Sequence, residues 1–126
     1  MLGDPGIGGD DRGNLLWIGA MSKPSPTALT IDYMWASGCQ LVQKVETWNP
    51  FAKRRNDLFG CWDVLAIRDG ETIAVQTTSR SNVSSSAKKI AEAESTPHLR
   101  RAGWKLVIHG WDKGPEGYRV RIEDVS

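Results

Sequence analysis

The strongest structural signal in this 126-residue chain lies in residues 57–79, DLFGCWDVLAIRDGETIAVQTTS. Two apolar runs flank the dipeptide Asp69-Gly70. Asp-Gly between β-rich runs is typical of a tight hairpin, because both residues tolerate the positive φ angles of the turn. We therefore predict adjacent antiparallel strands at 61–68 and 72–78. Their Val, Ile, Leu and Ala content favours central strands that are covered on both faces.

Polar side chains interrupt this hairpin near one end. Side chains alternate between the two faces of a strand, so Gln76 and Thr78 share a face. Asp63 heads the facing strand and is expected beside them. A carboxylate next to polar groups on adjacent strand ends is a typical site for a hard cation.

The remaining patterns give the element order α-β-β-β-α-β-β. Ser25-Pro26 predicts the N-cap and first position of a helix that ends at Gly38. Further strands are predicted at 41–48, 104–111 and 118–125, and a second helix is predicted over 87–94, restarting at Thr96-Pro97. The last strand alternates apolar and charged residues, which is typical of a half-exposed edge strand.

Length and composition favour one α/β domain at 25–126, after a Gly/Asp/Pro-rich segment at 1–24 that is expected to be flexible. No apolar run approaches the ~20 residues that span a bilayer. Cys39 and Cys61 lack metal-ligand spacing and are interpreted as buried free thiols. His98 and His109 have no cysteine partners, which argues against zinc. These features predict a cytoplasmic (intracellular) protein without a membrane partner.

Positive charge concentrates in the middle of the chain although the net charge is only +1. The dense clusters are Lys53-Arg54-Arg55 and Lys88-Lys89. Such clusters can bind phosphates, and ordinary solvated surface charge is the alternative. Six tryptophans are present, of which Trp35, Trp62 and Trp104 are expected in the core.

The element order over roughly 26–111 resembles the core of the PD-(D/E)XK nuclease superfamily, which includes Holliday-junction resolvases and many restriction endonucleases. The hexapeptide WDVLAI at 62–67 resembles the resolvase pattern Pro-Asp-(apolar)-(apolar)-Ala. Residues 74–78, AVQTT, occupy the place of the family's Glu-x-Lys strand, with Gln76 and Thr78 at the two polar positions. The resemblance implies a restriction-endonuclease-like αβββαβ(β) core, with a mixed central sheet flanked by helices.

In that family the two carboxylates bind Mg²⁺, and the lysine positions or activates the attacking water. The resemblance therefore implies that Asp63 is the main ligand of Mg²⁺ (or Mn²⁺) and that Gln76 lends an oxygen. Thr78 stands where the family has its lysine, so this strand lacks the positive charge. Some family members supply that charge from the following helix. Lys88 or Lys89 is the candidate here.

Two more carboxylates could reach the site. Glu46 is a candidate third metal ligand, with an exposed strand charge as the favoured alternative. Asp57 is interpreted as a turn cap in preference to a ligand.

The expected function is a metal-dependent endodeoxyribonuclease acting on branched or structured DNA. Lys53, Arg54, Arg55 and Arg80 would contact the DNA, and family analogy suggests a homodimer. Two alternatives remain open at this stage. One is a catalytically degenerate nuclease fold that only binds nucleic acid, and the other is an assembly or interaction protein that uses its edge strand and exposed aromatic residues.

Overall fold

The computed structural model describes residues 24–126. The flexible segment expected at 1–24 therefore lies outside the described residues, Pro24 excepted. The helices are α1 (Pro26–Ala36), α2 (Val83–Glu92) and α3 (Thr96–Arg101), and a 3-10 turn at Arg80–Asn82 leads into α2. The strands are β1 (Leu41–Lys44), β2 (Thr47–Asn49), β3 (Arg54–Asn56), β4 (Val64–Arg68), β5 (Glu71–Ser79), β6 (Lys105–Gly114) and β7 (Gly117–Asp124).

Five strands form one mixed sheet in the order β1-β4-β5-β6-β7. All neighbours are antiparallel except β5 and β6, which are parallel and joined through α2 and α3. The α/β class and the mixed sheet with helices are confirmed. The strands on either side of Asp69-Gly70 are both interior, as predicted, and β7 is an edge strand.

The helices cover opposite faces of this sheet. Alternate residues of β4 and β5 pack with Met34 of α1, while Leu65 and Ala74 between them pack with Val83 and Ile90 of α2. Each fully buried aliphatic side chain contributes about 1.5–3 kcal/mol, so both layers hold the hairpin in place. The predicted cap of α1 is present, because the Ser25 hydroxyl accepts a hydrogen bond of 3.1 Å from the Ala28 N–H.

Trp62 breaks the alternation expected from the sequence. In the predicted strand at 61–68, alternation would place it on the same face as Val64, but it packs in the cluster around α2 and α3. The reason is that β4 begins only at Val64. Trp62 lies in the preceding turn, where its backbone N–H donates to the Leu58 carbonyl, so a strand's period does not apply to it. Trp35 was also expected in the core, and that is wrong, since it is 49% exposed.

The predicted strand at 41–48 divides into two strands. β1 ends at Lys44, although the Val45 N–H still bonds to the Asp63 carbonyl. Beyond that point, residues 58–62 before β4 use their backbone groups to hydrogen-bond with one another in a turn. They therefore provide no strand edge with which β1 could continue to pair. The chain leaves the sheet at Glu46 and forms an antiparallel ribbon, β2 with β3. Arg54 and Arg55 therefore lie on a strand.

Helix α2 begins at Val83, four residues before the predicted start, and Ser84, Ser85 and Ser86 lie inside its first turn. Gly110 on β6 allows this helix start to lie directly on the sheet. A Cβ at Gly110 would collide with Cγ2 of Val83 and lie 3.0 Å from Cα of Arg80.

A buried polar network accounts for His109. The Trp111 indole donates to the Thr30 hydroxyl at 2.9 Å, and that hydroxyl lies 3.1 Å from Nδ1 of His109. While it accepts from the indole, the hydroxyl still has a hydrogen that it can donate to Nδ1 of the ring. Burial lowers the pKa of His109 to about 3. His109 is thus a satisfied sheet residue.

Both cysteines are buried and free, as predicted. Within residues 24–126, no helix combines the length and the apolar character needed to cross a membrane.

Candidate metal centre

Asp63 sits at the entrance to β4, where the Val64–Val75 pairing brings it beside β5. Its side chain is buried, and Oδ2 accepts three hydrogen bonds. The donors are the Thr77 N–H at 2.8 Å, the Thr77 hydroxyl at 3.1 Å and Nε2 of Gln76 at 3.2 Å. The structure therefore brings Asp63 and Gln76 together at the end of the hairpin.

Two further carboxylates converge on Asp63. One oxygen each from Glu46, Asp57 and Asp63 lie within 4.8 Å of one another, and we call these three residues the acidic cluster. An exposed strand charge was the favoured interpretation of Glu46, and it is wrong, since Glu46 is only 6% exposed and lies between β1 and β2. Asp57 was interpreted as a turn cap, but its carboxylate lies in this cluster, and the turn is closed by its backbone carbonyl, which accepts from the Gly60 N–H.

Hydroxyl groups connect the carboxylates. The Thr27 hydroxyl lies 3.1 Å from Oε2 of Glu46 and 2.9 Å from the Thr77 hydroxyl, which in turn reaches Asp63. These are three contacts, but two hydroxyls have only two hydrogens to donate. With both carboxylates ionised, the two hydroxyls donate to Glu46 and Asp63, and the contact between the hydroxyls has no hydrogen of its own.

Burial and the neighbouring carboxylates also change the pKa of Asp63. Its pKa is raised to about 7, first by burial and then by the neighbouring Glu46 and Asp57, while the Thr77 N–H acts in the opposite direction. Carboxylates that share a buried site disfavour one another's ionisation. A bound cation would relieve that repulsion.

Two buried oxygens of the site have no hydrogen-bond partner within the described chain. They are Oε1 of Gln76, a residue only 7% exposed, and Oδ1 of Asp57. Buried polar atoms are rarely left unpaired. Carboxylate and amide oxygens are the ligands that Mg²⁺ and Mn²⁺ prefer. The donor set of Asp63, Glu46, Asp57 and Gln76 therefore fits a hard divalent cation.

The candidate catalytic cations are placed differently. Nζ of Lys89 lies 4.0 Å from Oδ2 of Asp57, at the rim of the acidic cluster. Lys88 and Arg80 are exposed, and neither forms an ion pair with another residue of 24–126. Thr78 lies on β5 opposite Gly110, and no hydrogen bond joins it to the acidic cluster in the described part of the chain.

The ribbon of β2 and β3, residues 47–56, stands beside the acidic cluster, and we call it the basic hairpin. The Asn49 side chain caps its turn by accepting from the N–H groups of Phe51 and Ala52 at 3.0 and 3.1 Å. Arg55 reaches back and pairs with Oε1 of Glu46 at 3.1 Å. Lys53, Arg54 and Arg55 are all exposed, so the hairpin presents positive charge next to the acidic site.

Sequence reasoning missed Thr27 and Thr77. Thr77 lies between Gln76 and Thr78, and the strand period assigns it to the opposite face. It contributes because Asp63 stands at the strand's entrance and reaches both its N–H and its hydroxyl. No local signal marks Thr27, which is 50 positions away from its partner Thr77.

Comparison of this chain with protein-family models, curated proteins and solved structures gave no match.

Proposed function

We propose that this protein is a divalent-metal-dependent endodeoxyribonuclease of the PD-(D/E)XK kind. The observation that carries the proposal is the convergence of Asp63, Glu46 and Asp57 in the acidic cluster. Gln76 donates to Asp63 through its amide nitrogen, and its amide oxygen is buried without a partner in the described chain. The topology is consistent with it. The antiparallel meander β1-β4-β5, followed through helices by the parallel strand β6, has the order of an αβββαβ core.

Asp63, Glu46, Asp57 and Gln76 would hold Mg²⁺ or Mn²⁺. When bound, such an ion acts as a Lewis acid on the scissile phosphate and supports formation of the attacking hydroxide. Thr77 fixes the position of Asp63, and Thr27 together with Arg55 fixes Glu46. Fixed ligands need little rearrangement when the ion and substrate arrive, which favours the transition state.

Lys89 supplies the positive charge that Thr78 lacks. It approaches from α2, and its ammonium group at the rim of the acidic cluster can orient water or stabilise charge on a phosphate oxygen. The basic hairpin would contact the DNA backbone on the other side of the site. Phosphate contacts of this kind position the duplex without reading its sequence.

A second candidate function is binding of nucleic acid without cleavage. Two substitutions relative to the family's pattern favour it, namely Gln76 for glutamate and Thr78 for lysine. Together they remove one negative charge from the ligand set and one positive charge from the strand. The basic hairpin would serve this function equally well.

A cleavage assay separates the two functions. The purified chain is incubated with supercoiled plasmid, single-stranded DNA and a four-way junction, each with Mg²⁺, Mn²⁺ or chelator. We expect metal-dependent cleavage that Asp63→Asn abolishes. The matched control is Asp32→Asn, which removes an exposed carboxylate of α1 and should leave cleavage unchanged.

A parent protein that cleaves none of these substrates with either metal would contradict the proposed function. Cleavage that persists in Asp63→Asn would place the site elsewhere.

A further inference from the structure

The basic hairpin carries two large aromatic side chains that the fold does not use. Trp48 is 61% exposed and Phe51, at the turn, is 97% exposed. Neither belongs to any of the hydrophobic clusters formed by residues 24–126. A single exposed aromatic residue is ordinary on a protein surface. Two on one basic hairpin beside an acidic site indicate a binding surface.

The register of the hairpin determines which way Trp48 faces. Trp48 pairs directly with Arg55, so both side chains lie on the same face of the ribbon. Arg55 reaches Glu46 on that face. The Trp48 ring therefore lies on the side of the hairpin that adjoins the acidic cluster, while Arg54 lies on the opposite side and Lys53 stands beside Phe51 at the turn.

The chemistry of this surface restricts its occupant. A ligand that complements Lys53, Arg54 and Arg55 carries repeated negative charge. A ligand that complements the two aromatic rings has flat apolar faces. An acidic peptide offers the charge without the flat faces. A continuous duplex offers phosphates but hides its base faces in the stack. Unpaired nucleotides offer both, since bases stack on aromatic side chains while the phosphates meet basic ones.

We propose that Trp48 and Phe51 stack on unpaired bases, so that the basic hairpin selects substrates in which a single-stranded segment adjoins the scissile phosphate. This inference rests on the proposed function and specifies its substrate class. Trp48 is a specificity-determining residue near the acidic cluster, and Phe51 extends the stack at the turn.

Equilibrium binding in chelator tests the inference without requiring cleavage. The anisotropy of a labelled single-stranded oligonucleotide is compared with that of the duplex of the same sequence. Stacking on one aromatic side chain is expected to change affinity by roughly tenfold. Trp48→Ala and Phe51→Ala should each weaken single-strand binding by about that factor and leave duplex binding nearly unchanged, and Trp48→Phe should restore most of it.

Trp35→Ala is the matched control, because it removes an exposed aromatic residue from the end of α1, away from the hairpin. It should leave both affinities unchanged. Equal losses on single strand and duplex in Trp48→Ala, or no loss at all, would overturn the inference. So would a lowered melting temperature in Trp48→Ala, because the ring would then be covered by another part of the chain or by a second copy.

The outcomes for the two proposals are separate. Cleavage by the parent with no effect of Trp48→Ala on single-strand binding rejects the stacking surface alone. Selective loss of single-strand binding in a parent that cleaves nothing supports the stacking surface and rejects the nuclease.

Discussion

At the scale of single residues, the ionised form of Asp63, which would bind a cation, is the form that burial makes unfavourable for folding. Its carboxyl group has a pKa of about 7 in the folded protein against about 3.9 in an unfolded chain. Between these values the folded state binds the extra proton, so the free energy of unfolding falls as the pH rises from about 4 to about 7. Above pH 7 the full repulsion within the acidic cluster is present unless a cation neutralises it.

Asp63→Asn should therefore stabilise the metal-free protein at pH 8. The amide keeps an oxygen for the Thr77 N–H and offers hydrogens to Glu46. One unit of pKa corresponds to about 1.4 kcal/mol, so we expect a rise of at least several degrees in the melting temperature. Calorimetry at pH 8 and pH 5 checks this, because the gain should shrink at the lower pH.

Added Mg²⁺ should raise the melting temperature of the parent at pH 8 and leave Asp63→Asn almost unchanged. An equal response of both proteins to Mg²⁺ would show that the ion does not bind at Asp63.

The sequence allowed the positions of some site residues to be predicted but not those of others. Asp63 and Gln76 could be paired because a two-residue turn sets the register of a hairpin. Glu46 and Asp57 could not, since their inward orientation depends on where β1 leaves the sheet and on a turn closed by backbone bonds. Thr27 reaches the site only through the packing of α1 across the sheet.

At the scale of elements, the placement of α2 determines which lysine meets the site. Gly110 lets the start of α2 lie against β6, and from there Lys89 reaches Asp57 while Lys88 stays in solvent. The early helix start was hidden in the sequence because three serines resemble caps, whereas the structure uses them as helical residues.

Lys89→Ala should lower the rate of metal-dependent cleavage on the order of 10²-fold, the usual effect of removing one group that stabilises transition-state charge. Lys88→Ala is the matched control, since it removes the same charge one residue away and should lower the rate only a few-fold. Single-turnover kinetics on the preferred substrate provides the comparison. Equal losses in the two variants would assign both lysines to general phosphate binding.

At the scale of the whole molecule, charge distribution matters more than the net charge of +1. Within residues 24–126, Lys105, Arg119 and Arg121 on β6 and β7 are each paired with a carboxylate. On the basic hairpin, Lys53 and Arg54 have no such partner in that part of the chain, and Arg55 is shared with Glu46. The hairpin is therefore the richest source of uncompensated positive charge near the acidic cluster.

Replacing Lys53, Arg54 and Arg55 together with Ala should weaken DNA binding and reduce the slope of log K against log salt by about 2. We expect a loss of about two phosphate contacts, and not three, because Arg55 already forms an ion pair with Glu46. Replacing Lys105, Arg119 and Arg121 changes the net charge by the same amount and should leave the slope unchanged. Titrations at several salt concentrations in chelator decide between the two surfaces.

The hydroxyl chain that joins Thr27 to Thr77 has a consequence for when the acidic cluster becomes complete during folding. It links positions 50 apart, and the neighbouring contacts of Glu46 and Asp63 span 19 and 14 positions. Such long-range contacts form late in folding, because the loops between them must close first. A half-folded chain would hold β4 and β5 but not the complete ligand set. Under the proposed function, a nascent or damaged copy would then cleave no DNA, and a bound ion would slow the unfolding of finished copies without hastening their formation.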